Sequence, residues 1–395
     1  MVGRRSFLAL ALAGCALPDE TLRAPRATAR RARPAGSSVA PEPAARRDDA
    51  PVVPAMLSAH PRLSVIPRVE LTSGPTPIER SSALEAQLGL ESLVIKRDDL
   101  ANPAYGGGKV RKLETVLAEA ERLGAKRLVT FGSVGSHHAL ATAVHGRARG
   151  LEVELLLLPE PPSAHVRETL RRTLLSGARA SLAPSMKSAL GRAAELEREG
   201  DTFVIPVGGT SPLANVGFVA AGFELAAQLA SSGAEPPERV YIPLGTNGSA
   251  VGLALGLRAA GLDCRVVGVR ASSPTTSSEA HVREAIASTA ALLRSYDETF
   301  PEVDAGVEID GAELGRGYAL PTARAKRAVD RASDAGLALE TTYTAKAFAA
   351  LCRDAERGKV KRALFWLTHD ARPGPAGDPT NVPHELGGWL RGEGA

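Results

Sequence analysis

"RVYIPLGTNGSAVGL", Arg239 to Leu253, holds the reading that decides the fold. Val240 to Leu244 is an apolar run of strand length. Gly245, Thr246, Asn247, Gly248 and Ser249 follow, glycines mixed with hydrogen-bonding side chains, and the chain then opens an apolar helical run. A strand that turns through glycine straight into a helix is half of a βαβ unit. The backbone N–H groups at such a helix start can cradle an anion, and glycine lets that backbone come close.

The same grammar extends in both directions. Further strands are expected at "LVIKR" (93–97), "RLVTFG" (127–132), "EVELLLL" (152–158), "FVIPVG" (203–208), "RVVGVR" (265–270) and "RALFWLT" (362–368). Amphipathic stretches separate them. In the helix that begins at Lys109, Leu113, Val116, Leu117, Ala120 and Leu123 recur at helical spacing, and Gly124 supplies the stop. Continuous apolar strands alternating with helices predict an α/β protein with mostly parallel sheets covered on both faces. A length of 395 residues accommodates two such domains.

Ligands in these folds bind where strands end and helices begin. Glycine clusters stand at such points: "GGGK" (106–109), "FGSVGSHH" (131–138), "VGGTSPL" (207–213) and the opening stretch. No GxGxxG follows a first strand, which argues against a nicotinamide enzyme. "GGGKVRK" lacks the GxxxxGK[ST] spacing of a P-loop. A lysine at a glycine turn together with a distant anion loop suits pyridoxal phosphate, which needs an amine for attachment and a cradle for its phosphate.

Six segments then carry a resemblance. "IKRDDL" (95–100), "GGGKVRKLE" (106–114), "GSVGSHHALATA" (132–143), "PVGGTSPLANVGFVAAGFEL" (206–225), "GTNGSAVGL" (245–253) and "TTYTAKA" (341–347) stand in the order of motifs of a known family. The chain, from about residue 62 to 370, resembles the aminocyclopropane-carboxylate deaminase and D-cysteine desulfhydrase family. Its members are fold-type II pyridoxal phosphate enzymes, tryptophan synthase β-like, with two three-layer α/β/α domains. The resemblance implies a large domain from residues 61–111 and 211–390 and a small domain from 112–210. It implies that Lys109 carries the cofactor and that Lys112 and the loop Gly245, Thr246, Asn247, Gly248 and Ser249 hold its phosphate. Thr344 matches the residue at the pyridine nitrogen; a threonine there resembles the desulfhydrase branch and a glutamate the deaminase branch. Tyr343 and Ser136 match active-site residues, with Ser136, His137 and His138 at the substrate and His137 also at the cofactor's 3′-oxygen.

The chain departs from the family pattern at Gly108, Gly135, His137, Leu140 and Asp370, mostly around the substrate pocket. The expected activity is loss of a β-substituent from a small amino acid, giving a keto acid and ammonia. Ring opening of a cyclopropane amino acid, racemase or dehydratase activity, and a degenerate member that binds pyridoxal phosphate or another ligand without turnover stay open. Homodimers are common in the family, but no interface is legible.

The net charge of +4 belongs to residues 1–50, which hold nine arginines against five acids; the remainder carries 39 of each sign. The body thus gives no electrostatic reason to expect nucleic acid. Cys15, Cys264 and Cys352 form neither a disulfide framework nor a zinc spacing. Arg4 and Arg5, the apolar Ser6 to Gly14 and "LAGC" (Leu12 to Cys15) resemble a twin-arginine lipoprotein signal, in which Cys15 is lipidated. The expectation is an export signal over 1–15, a disordered linker over 16–60 and a protein anchored to a membrane or periplasmic. If the signal is not real, the protein is cytoplasmic. No other segment is expected to approach the length of a membrane span.

Overall fold

A computed structural model of the chain describes residues 54–394. The expected leader, Cys15 and most of the expected linker lie outside these residues. The linker was expected to reach residue 60, but Ala55–Ala59 is helix α1, and Met56 is buried in a cluster with Phe223 and Phe300.

Two sheets organise the chain. The larger has the order β1 (Ile78–Arg80), β2 (Ser92–Lys96), β10 (Arg362–Trp366), β7 (Arg239–Leu244), β8 (Arg265–Arg270), β9 (Val307–Asp310). Only β1 runs antiparallel. The smaller is all parallel, in the order β5 (Arg179–Leu182), β4 (Glu152–Leu158), β3 (Arg127–Ser133), β6 (Thr202–Val204). The helices are α2 (Ser82–Leu88), α3 (Lys109–Arg122), α4 (His137–Ala148), α5 (Ala164–Leu175), α6 (Met186–Arg198), α7 (Pro212–Ser232), α8 (Gly248–Ala259), α9 (Glu279–Tyr296), α10 (Ala323–Asp334), α11 (Thr344–Glu356) and α12 (Gly387–Arg391).

Side-chain alternation along each strand builds three layers. Leu93, Ile95, Tyr241, Val267 and Phe365 pack with α10 and α11, while Val240, Ile242, Val266, Leu364 and Trp366 pack with α7 and α8. Register enforces the split, since Leu364 pairs with both Val94 and Val240. In the smaller sheet Leu128, Leu155 and Leu157 face α3, α4 and α5, and Val129, Phe131 and Leu156 face α6. Each such buried aliphatic side chain contributes about 1.5–3 kcal/mol. Serine or threonine hydroxyls cap α4, α5, α6, α7, α9 and α10. A cap of this kind is worth about 1 kcal/mol and sets where a helix begins.

Three observations bear on the expectations. The expected domain boundary at 111/112 falls inside α3, whose Leu113, Val116 and Leu117 belong to the core around β3 and β4. The end of the expected segment 211–390 reaches the same core. Leu386 and Trp389 are buried in that same core, and Trp389 donates to the Glu160 carbonyl at 2.8 Å. Finally, Val207–Ser232 is long and apolar enough to cross a membrane by length and composition. Most of it is buried, and α7 packs along α8, where a Cβ on Gly256 would come 2.2 Å from the Val219 carbonyl oxygen.

A buried ionic knot joins these layers at the start of α3. Arg111 donates twice to Asp98 and twice to Glu224, at 2.8–3.0 Å. Asp98 also accepts from Trp366 at 2.7 Å, and Lys96 pairs with Glu224. The knot ties β2, β10 and α7 to the turn that presents Lys109.

Candidate active site

Lys109 is the first residue of α3, after the glycine turn. That turn is tight: Gly107 has φ +89°, and Gly106 donates its N–H to Asp370 at 2.8 Å. A Cβ on Gly108 would sit 3.1 Å from both the Phe218 ring and a Thr368 methyl, so the family's asparagine has little room here. Burial lowers the Lys109 amine from its usual value to about 8. A substantial neutral fraction at physiological pH is what a nucleophilic or proton-accepting amine requires.

One turn on, Lys112 is buried and donates to the Gly208 carbonyl at 3.2 Å and to Thr210 Oγ1 at 3.0 Å. Burial, and then the nearby Lys109 charge, push it well below the usual lysine range. Its ammonium lacks a counter-anion among the described residues, and a bound phosphate would supply one.

The opening stretch delivers the rest of this cradle. β7 ends at Leu244, Asn247 takes φ +68°, and α8 starts at Gly248. A Cβ on Gly248 would meet Asn215 Oδ1 at 2.3 Å, Lys112 Nζ at 2.8 Å and Thr210 Oγ1 at 3.0 Å. Thr246 and Thr210 hydroxyls are 2.7 Å apart. Gly245, Thr246, Gly248 and Lys112 thus come together with the start of a 12-residue helix, the donor set that a phosphate needs. The buried Oδ1 atoms of Asn215 and Asn247 have no partner. Thr210 lay within a quoted glycine cluster without being singled out. Ser249 follows on the first turn of α8.

A second helix start brings the substrate candidates. Ser136 caps α4, its Oγ accepting from Ala139 N at 3.2 Å, so the first-turn N–H groups of His137 and His138 have no place in the helix's own ladder. His137 Nδ1 lies 2.9 Å from the Tyr105 hydroxyl, and its ring centroid is 6.4 Å from that of Tyr343. His138 turns away. It is buried, with Nε2 2.9 Å from Thr130 Oγ1, itself a donor to the Ile205 carbonyl. Its Nε2 joins β3 to the segment after β6, while the ring stands near the charges of Lys109 and Lys112.

Tyr343 precedes α11 and donates to Tyr318 at 3.1 Å, and Tyr318 lies 2.9 Å from Ser133 Oγ. Glu160 lies beside Ser133 and accepts the Gly135 N–H. Burial raises its carboxyl to about 7. Thr344 is fully buried, and its hydroxyl donates to Glu340 Oε1 at 3.1 Å while accepting the Glu340 N–H at 3.0 Å. Its single proton can go to either the Glu340 carboxylate or the Glu340 carbonyl.

Tyr105, Glu160, His165, Arg172, Tyr318, Glu340 and His369 escaped sequence reasoning. His137, His165 and His369 have ring centroids 4.8–5.4 Å apart. His137, His165 and Glu340 hold ligand atoms within 4.8 Å of one another. Glu340, however, already accepts from the N–H groups of Thr342, Tyr343 and Thr344 and from the Thr344 hydroxyl, which spends its lone pairs.

Comparison with known proteins agrees with this geometry. The chain is 34% identical over 339 residues to the nocardicin C-9′ epimerase of Nocardia uniformis subsp. tsuyamanensis, covering 82% of this chain and 98% of that protein. It is 34% identical over 307 residues to the D-cysteine desulfhydrase of Salmonella choleraesuis, covering 73% and 88%. A crystal structure of an ACC deaminase homologue superposes with a TM-score of 0.69 at 28% identity, over 81% of this chain and 96% of that one. The family model described as pyridoxal-phosphate dependent enzyme matches residues 69–368, and the chain belongs to that family.

Proposed function

We propose that the protein is a lyase that removes the α-proton and a β-substituent from a small amino acid and releases a keto acid and ammonium, as the relative named D-cysteine desulfhydrase suggests. The observation that carries this reading is the position of Lys109. A buried amine with a pKa of about 8 stands one helical turn from the anion cradle of Lys112, Thr210, Thr246 and Gly248. Pyridoxal phosphate, when bound, supplies the electron sink that makes the α-proton removable.

The chain's residues supply the rest. Lys109, neutral in part, takes up the α-proton. The first-turn N–H groups of α4, with Ser136 at its cap, bind the α-carboxylate. Tyr343 is held by Tyr318 and stands beside His137 to face the departing group. Water then hydrolyses the released enamine, through its imine, to the keto acid and ammonium.

A second reading is epimerisation, in which the α-proton returns to the opposite face. The relative named as an epimerase supports it, since that protein is matched over nearly its whole length. One experiment addresses both readings. The purified protein is incubated in deuterated water with D- and L-cysteine, serine, β-chloroalanine and aminocyclopropane carboxylate. Keto acid release supports elimination or ring opening, and deuterated product of inverted configuration supports epimerisation. Neither from any substrate refutes both. Lys109→Ala is expected to abolish the activity and the visible cofactor band that borohydride bleaches.

A further inference from the structure

Beside His137 lies a cavity of about 310 Å³, walled by Tyr105, His137, His165, Arg172, His369 and Arg372 among others. Its acids are already engaged. Asp370 accepts from the Gly106 N–H and from Arg372, and Glu168 pairs with Arg171. Arg372 is committed to Asp370 and to the Asn102 carbonyl.

Arg172 is left over. It is only 8% exposed, its guanidinium carbon stands 4.9 Å over the Tyr105 ring, and Nη1 donates to the Arg372 carbonyl at 3.2 Å. Among the described residues no carboxylate forms an ion pair with it. A guanidinium has five N–H donors, and a buried cation without a counter-charge is unfavourable.

Two of the histidines around it, His137 and His369, do not add charge. Burial, and then the neighbouring His369 and His165, hold His137 well below its usual value, and burial chiefly brings His369 to about 4. They line the wall as neutral donors and acceptors. His137 Nε2 and His369 Nδ1 are buried without partners. A group entering this space therefore meets the Arg172 guanidinium, which among the described residues has no carboxylate partner, beside the Asp370-paired Arg372 and polar rings that can orient it.

The α-carboxylate is already provided for at the start of α4. We propose that this cavity receives a second oxyanion, a carboxylate or a group of its shape at the far end of the substrate's side chain, and that Arg172 selects it. The inference deepens the elimination reading: it makes the substrate an amino acid with an acidic side-chain terminus.

The test uses two probes of one shape, S-carboxymethylcysteine and its neutral isostere S-carbamoylmethylcysteine, as both enantiomers, on the full-length holoenzyme. Calorimetric Kd and kcat/KM for keto acid release are measured for each. The acid is expected to be preferred by about tenfold or more, the scale of a charge-assisted hydrogen bond. Arg172→Met keeps the packing on Tyr105 and is expected to bring that ratio to about one, while Arg172→Lys retains part of it. A purely structural role for Arg172 would not change the ratio. A wild-type ratio near one, or a ratio that survives Arg172→Met, overturns the inference. If the methionine variant does not fold, an undiminished ratio in Arg172→Lys does so. Preferential binding without keto acid release leaves the anion site standing and sinks the elimination reading. Equal turnover of both probes does the reverse.

Discussion

Replacing Glu160 with glutamine removes a buried ionisable group beside Ser133. Glu160 is buried two residues beyond β4 and accepts the Gly135 N–H. Burial raises its pKa from 4.5 to about 7, against the opposing pull of those neighbours. In the unfolded chain the carboxyl loses its proton near 4.5; in the folded protein it keeps it to about 7. Stability from this group is thus fully present below pH 4.5 and is lost as pH rises to about 7. A shift of this size corresponds to about 3 kcal/mol. Glutamine preserves the shape and the acceptor and cannot ionise. Urea unfolding of both proteins from pH 4.5 to 8 should show the variant gaining about 3 kcal/mol on the wild type, because every other titration cancels. A limb near pH 7 in the wild-type kcat profile should also vanish. Tyr343 donates to Tyr318, which lies 2.9 Å from Ser133 Oγ beside Glu160, so a change of charge on Glu160 acts on this row of hydroxyls. Stability curves that run parallel across the whole range would refute the reasoning, since they would mean the carboxyl ionises as in water.

Gly248→Ala should weaken pyridoxal phosphate binding about tenfold or more without unfolding the chain, because the new methyl displaces Lys112 and Asn215 from the cradle. Absorbance titration of cofactor-free protein measures it, and an unchanged Kd would place the phosphate elsewhere. Asp98→Asn should cost about 3–5 kcal/mol in urea unfolding, since it leaves Arg111 half-paired in a dry site. A loss below about 1 kcal/mol would mean that water reaches the knot.

Legibility followed burial on both faces. β4 and β8 have the ranges their apolar runs predict, because both faces of a central parallel strand must be apolar. β1, β5 and β9 were not foreseen. Each is three or four residues at a sheet edge, with one side open and no apolar run to mark it. β6 stops at Val204, where Pro206 ends the ladder, rather than running on to Gly208. In the site, Lys109, Lys112 and the Gly245–Ser249 loop were visible because glycine spacing carries a backbone requirement. His165, Arg172, Glu160 and His369 carry no such signal. They meet because two sheets pack, and a lone histidine or glutamate in a chain has no period to betray it.

The departures from the family pattern bear on whether the pocket has decayed. A decayed site collects voids and unmatched polar groups, because nothing selects their partners. Here each substitution is answered by another residue. A side chain at Gly135 would start 2.6 Å from Glu160 Oε1 and 2.9 Å from Val166, so the space of the family's glutamine is filled by a carboxylate that bonds Gly135 in return. His137 takes Tyr105 as its partner. Asp370 anchors the Gly106 turn beside Lys109 and is braced by Arg372. Leu140 lines the cavity in which Arg172 lies without a counter-charge. Among the buried polar atoms left unpaired, His137 Nε2 and His369 Nδ1 belong to the cavity at Arg172, and Asn215 Oδ1 and Asn247 Oδ1 to the anion loop, where a ligand and not a neighbour would complete them. Coordinated replacement of one wall, with the lysines and the anion loop kept, is what a change of substrate requires and what loss of function does not produce.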